Sequence, residues 1–129
     1  MSFEYPEDLR YLDSHEYVRV EGESATLGIT AFAVDQLGDI VFVELPGVGD
    51  TLTQGETFGS VESVKAVEDL ISPITGTVLE TNTAIADAPE QLAEDPYGTA
   101  WLLKVQLSGA PDLSHTLSAT EYRNQVADH

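Results

Sequence analysis

Residues 59–78 read GSVESVKAVEDLISPITGTV. Two local structures compete for the first part of this stretch. Val61, Val64, Val67 and Ile71 recur at helical spacing, so residues 59–71 can be written as an amphipathic helix. The same segment is dense in β-branched residues, and Ser72-Pro73 would stop a helix, which suits a hairpin instead. Local pattern weighs the two evenly. The stretch also poses a chemical question. Lys65 is one of two lysines in the chain, and it sits between Val64 and Ala66 among the acids Glu62, Glu68 and Asp69. Read locally, it is a surface charge pairing with its neighbours.

On either side, strand signals dominate. Tyr17–Glu21 and Ala25–Ile29 alternate around Gly22-Glu23-Ser24, a hairpin pattern. Thr30 can cap a short helix over Ala31–Leu37, which Gly38 would end. Asp39–Leu45 is the strongest strand, stopped by Pro46-Gly47. Gly49-Asp50 and Gly55 suit tight turns, and Gly76–Thr81 reads as another strand. Ala88–Leu92 suits one helical turn begun by Pro89, Asp95-Pro96-Tyr97-Gly98 a turn, and Trp101–Leu107 a late strand with Trp101 in the core. Ser118-Ala119-Thr120-Glu121 is a capping box, with Leu117 and Tyr122 placed for a hydrophobic staple on a C-terminal helix. The expectation is a mainly β, single domain over residues 1–129, with short helices at its edges.

Composition narrows the chemistry. The 129 residues are 42% apolar, enough for one packed core, and no window suits a membrane span. The start, MSFEYPEDLR, has neither a basic region nor an apolar core, so the cytoplasm is the expected compartment. Twenty-three acids against five bases give a net charge of −18, which argues against nucleic acid and anionic membranes as partners. Such a field would favour encounter with basic protein clefts; the even alternative is that the acidity only confers solubility. There is no cysteine, and His15, His115 and His129 are too far apart to suggest a metal pair, so no metal site is expected. No nucleophile motif, phosphate loop or dinucleotide fingerprint is present, so no catalytic residue is assigned.

The order Gly49-Asp50, Gly55-Glu56, Val61-Glu62, Lys65, Ser72-Pro73, Gly76-Thr77-Val78 resembles the lipoyl and biotinyl carrier module. That resemblance implies a flattened β-barrel, the barrel-sandwich hybrid, with Lys65 as the cofactor's attachment point at a hairpin tip. Biotinyl modules commonly flank this lysine with methionines. Here the flanks are Val64 and Ala66, which favours lipoic acid.

Over nearly its whole length the chain is similar to the H proteins of the glycine cleavage system. The matching stretches are Ser14–Val18, Leu27–Thr30, Leu37–Pro46, Glu62–Ala66, Ser72–Ile74 with Gly76, and Asp95–Tyr97 before Trp101-Leu102. Tyr17 stands where the family often has tryptophan, Ala100 where it usually has glycine, and Thr75 where serine is common. The resemblance implies a non-catalytic carrier whose lipoyl-lysine at Lys65 takes the aminomethyl group of glycine from the pyridoxal-phosphate glycine decarboxylase. It would deliver that group to the aminomethyltransferase, with tetrahydrofolate as acceptor, and be reoxidised by dihydrolipoamide dehydrogenase. Lipoylation enzymes would load Lys65, and a monomer suits an arm shown to three enzymes.

The same resemblance implies a cleft that shelters the loaded arm near the His-Glu segment. Glu16 is the candidate to pair with its ammonium, with Ser14 and Asp69 contributing. The alternative for Glu16 is one surface acid among many. His15 reads as a structural or surface residue and Lys104 as a charge-balancing or packing lysine. Two rival functions stand: a lipoyl carrier for another 2-oxo acid dehydrogenase-type complex, and an unmodified acidic adaptor.

Overall fold

The computed structural model describes residues 5–95, 97, 98, 100–109 and 113–126. A short strand β1 (Arg10–Tyr11) pairs antiparallel with β2 (Glu16–Glu21), which turns into β3 (Ser24–Ile29). The turn is possible because Gly22 takes φ of 65°. Thr30 caps α1 (Ala31–Leu37) as expected: its hydroxyl accepts the Ala33 N–H at 3.2 Å, and Gly38 closes the helix at φ 77°. The strands β4 (Ile40–Glu44), β5 (Thr51–Leu52), β6 (Thr57–Ser63), β7 (Val67–Ile71) and β8 (Gly76–Thr81) follow. Then come α2 (Thr83–Asp87), a 3-10 turn over Pro89–Ala93, β9 (Leu103–Leu107) and α3 (Ala119–Val126).

Two antiparallel sheets result. One runs β1-β2-β3-β9-β8-β5 and the other β4-β6-β7. Val18, Leu27, Val78 and Val105 from the first share one buried cluster with Val43, Val61 and Leu70 from the second. The expected mainly β, flattened barrel-sandwich architecture is what forms, with short helices around it and α3 at the end. Gly76 shows how tightly it closes, because a Cβ there would overlap the Gln106 carbonyl and the Val105 side chain. No helix among the described residues is long and apolar enough to cross a membrane.

The ambiguous segment is a hairpin. Glu62 faces Val67, Val61 faces Glu68 and Ser60 faces Asp69 across β6 and β7. The apparent helical stripe therefore has no common face. Val61 is fully buried, whereas Val64 and Val67 are 73% and 60% exposed. Pairing decides the matter: β6 is bonded on both sides, to β4 and to β7, and a helix would forfeit both ladders.

The C-terminal helix is capped as its sequence predicts. Ser118 N–H donates to the Glu121 carboxylate at 2.9 Å, and Glu121 N–H to the Ser118 hydroxyl at 3.1 Å. These bonds hold the Glu121 carboxyl below its ordinary pKa. Helix α3 seats Tyr122 in a second, aromatic cluster with Tyr5, Tyr11, Tyr17 and Phe32, against which Leu117 packs. Tyr17 fills the space over Gly28, whose Cβ would overlap its ring.

Two expectations need correction. Trp101 is not a core residue but half-buried, with the Lys104 ammonium 4.8 Å from its ring centre. The late strand begins at Leu103, because the Trp101 carbonyl accepts the Asn82 side-chain amide at 2.7 Å rather than a ladder bond. Asp95 and Gly98 form the expected turn, joined N–H to carbonyl at 3.2 Å; Pro96 within it lies outside the described residues, as does His129.

Candidate functional site

Lys65 stands exposed at the tip of the β6–β7 hairpin. Among the described residues it enters no ion pair, so the acids around it in sequence do not claim it. The backbone beneath is held still by one side chain. The Ser63 hydroxyl accepts the N–H groups of Lys65 at 3.3 Å and Ala66 at 3.1 Å, while Ser63 N–H donates to the Ala66 carbonyl at 2.8 Å. Val64 N–H reaches the Asp39 carbonyl at 3.1 Å and ties the tip to the start of β4. A flexible stem on a fixed base is what a covalent handle requires, because its amine must be free to attack an activated acyl group.

Beside the tip lies a cavity of about 350 Å³. Its first wall is the turn carrying Ser14, His15 and Glu16, its second is α1 through Phe32, Ala33 and Gln36, and its third is the hairpin through Ala66, Glu68 and Asp69. The three residues expected at an arm-binding cleft, Ser14, Glu16 and Asp69, thus line one space next to Lys65. Ser14 and Asp69 are exposed at its rim, while Glu16 is 1% exposed at its floor.

Glu16 is therefore no surface acid. Its Oε1 accepts the Ser14 hydroxyl, and its Oε2 accepts the Ile71 N–H at 2.8 Å. Burial pushes its carboxyl up to about 7, and the two hydrogen bonds only partly oppose this. Such a group sits at the point of ionisation near neutral pH. A cation brought into the cavity would draw out its charge.

A family model described as "Glycine cleavage H-protein" matches residues 9–129. The chain belongs to the glycine cleavage H-protein family. Among its relatives, the glycine cleavage system H protein of Acaryochloris marina is 69% identical over 126 residues, covering 98% of each chain. That of a Cyanothece strain is 67% identical over 126 residues, again covering 98% of each. The crystal structure of a glycine cleavage system H protein from Mycobacterium marinum superposes with a TM-score of 0.87 at 43% identity, covering 95% of this chain and 99% of that one. Lys65, its hairpin and the cavity all fall within the stretch that matches the family.

Sequence reasoning missed several residues in this family member's site. Ser63 was detectable in principle, since a serine two and three residues before unpaired N–H groups is a common turn device. Phe32 and Gln36 reach the cavity only because α1 packs beside the hairpin, and no local pattern signals that. His15 has a definite structural role: it takes φ of 81° and closes the turn from Leu12 by donating its N–H to the Leu12 carbonyl at 2.9 Å, while Leu12 N–H donates to the Glu16 carbonyl at 2.9 Å.

Proposed function

We propose that the chain carries a lipoyl group on Lys65 and shuttles the aminomethyl group of glycine within the glycine cleavage system, with no turnover of its own. The supporting observation is one juxtaposition: an exposed lysine, without an ion pair among the described residues, on a hairpin tip beside a cavity whose floor is a buried carboxyl. The residues present fit a covalent lipoyl group, since Lys65 offers a free amine and Val64 and Ala66 leave it uncrowded by charge. When bound, that group supplies a disulfide that accepts the aminomethyl unit and a dithiol to be reoxidised.

The chain's own part is to hold and shelter. Lys65 forms the amide and lends its stem to the arm. Glu16, with Ser14 and Asp69, receives the arm's ammonium and keeps water from the loaded unit between visits. The decarboxylase, the aminomethyltransferase, dihydrolipoamide dehydrogenase and the lipoylation enzymes are the partners of this reading, the monomer its working form and the cytoplasm its compartment. The net charge of −18 would steer the carrier to basic faces on those enzymes.

Intact mass spectrometry with peptide mapping, on protein made with lipoate and a lipoylation system proven on a control, tests this. One lipoyl increment on Lys65 is expected, absent from Lys65→Arg, together with complete loss of glycine-dependent exchange in that variant and an unchanged melting temperature. An unmodified Lys65 would leave the acidic-adaptor reading in its place.

A further inference from the structure

The hydroxyl of Tyr122 lies 2.7 Å from His15 Nδ1 and 2.7 Å from Thr30 Oγ1. His15 sits between Ser14 and Glu16 on the first wall of the cavity, and Thr30 is the N-cap of α1, the second wall. One buried phenol at the far end of the chain thus bonds both walls. It is 107 residues from one partner and 92 from the other, and fully buried, as is Thr30.

Either hydroxyl can donate in the Thr30–Tyr122 bond, and the Tyr122–His15 bond follows the tautomer of the imidazole. In one direction Thr30 Oγ1 accepts the Ala33 N–H and gives its own proton to the Tyr122 oxygen. Tyr122 would then give its proton to His15 Nδ1, holding a neutral imidazole with its hydrogen on Nε2. The direction Ala33, Thr30, Tyr122, His15 satisfies each of these groups. A second contact reinforces the bracket: Thr30 N–H donates to the His15 carbonyl at 3.0 Å, so the two walls already meet there. The imidazole also lies against Phe32 of α1, with ring centres 5.0 Å apart. His15 holds a left-handed backbone that a non-glycine residue adopts only when its surroundings enforce it.

We propose that Tyr122 is a positioning residue for the cavity: its hydroxyl fixes the Ser14–Glu16 turn against α1, so the C-terminal helix sets the geometry at which Glu16 meets a guest. The consequence for the arm rests on the carrier reading above. The positioning itself does not.

Two measurements separate these. In unlipoylated, 15N-labelled protein, the His15 ring should show the Nε2–H tautomer. Tyr122→Phe keeps the ring stacked on Tyr11 but removes both bonds. It should lose that tautomer preference and move the amide signals of Ser14, Glu16, Ala33 and Gln36. Val126→Ala, a cavity-forming change at the end of the same helix, should leave all of these in place. Thr30→Val breaks the chain from its other end: it should move the Ala33 and Gln36 signals, while the His15 tautomer, still held by the Tyr122 hydroxyl, stays as in the wild type. In lipoylated protein loaded with the aminomethyl group, Tyr122→Phe should lose the group about tenfold faster, an effect of the size expected when its two hydrogen bonds are lost together, while Val126→Ala stays close to wild type. Unmoved wall signals in Tyr122→Phe, or equal movement in Val126→Ala, would overturn the positioning role. A loaded wild-type arm that is not protected at all would overturn the sheltering function of the cleft and leave the spectroscopic result to decide Tyr122.

Discussion

The hairpin tip and the cavity floor are neighbours built by opposite means. The tip is local: Ser63, Lys65 and Ala66 satisfy one another within four residues, and the side chain that matters points into water. The floor is assembled from across the chain, with Glu16 receiving an N–H from Ile71, 55 residues away. The tip supplies reach and the floor supplies a low-dielectric place for charge. A carrier needs both, and substitutions should damage them separately.

The largest effect is expected at the floor. Glu16→Gln keeps the shape, since an amide can accept from Ile71 and donate to Ser14. In the folded wild type the carboxyl keeps its proton up to about pH 7, whereas an ordinary carboxyl releases it near 4.5. Between these values the folded state binds the extra proton, so its stability falls as pH rises and the loss is complete above pH 7. Relative to Glu16→Gln, the wild type should lose about 3 kcal/mol across that window. Urea unfolding of both proteins from pH 4 to 8 reads the difference directly, other carboxylates cancelling. A flat difference would mean that Glu16 titrates alike in the folded and unfolded chain, so that burial does not raise its carboxyl. In the loaded, lipoylated protein the same variant should release its aminomethyl group faster, so stability and function move in opposite directions. If hydrolysis of the loaded form is unchanged, Glu16 is not the arm's partner.

That contrast also explains what was readable in the sequence. Strands with short-range signals, such as β4 and the β2–β3 pair, declare themselves through β-branched runs and turn residues, and the Ser118–Glu121 box announces α3. The β6–β7 hairpin does not, because its valines fall by chance at helical spacing and only pairing to β4 settles it. The candidacy of Lys65 comes from the family likeness rather than from periodicity, and only its exposed place at a hairpin tip is seen in the fold. For Glu16, the likeness suggested a role but not its burial, which depends on β2 packing under the end of β7. Nothing near residue 122 says that its hydroxyl meets His15 and Thr30. Trp101 misled for the same reason: an aromatic before a strand is usually core, but here Lys104 covers its face.

A smaller effect is expected at the tip. Ser63→Ala removes the acceptor for the Lys65 and Ala66 N–H groups while leaving the β6–β7 ladder intact. The cost should be about 1 kcal/mol, confined to the turn. Hydrogen exchange should therefore quicken at the amides of Lys65 and Ala66 and stay unchanged at Val61 and Leu70. Attachment of lipoate should slow by a few fold, because a mobile base presents the amine less often in one place. Unaltered exchange at the two tip amides would show that the hydroxyl is not what holds the turn.

The smallest effect belongs to the other lysine, and it sharpens the difference between a handle and an ordinary charge. Lys104 lies 3.6 Å from Glu80 with both side chains substantially exposed, and it rests over Trp101. Water screens such a pair, so Lys104→Gln should lower stability by well under ~1 kcal/mol, and by less in high salt. Removing the cation from the indole face should alter the fluorescence of the chain's single tryptophan, which reports the change without reference to the arm. The lipoyl increment should remain in full, because Lys104 projects from the interior of a strand that is paired on both sides and has no free tip. If Lys104→Gln instead removed the increment, attachment would depend on something other than hairpin-tip exposure, and the placement of Lys65 would lose its explanatory force.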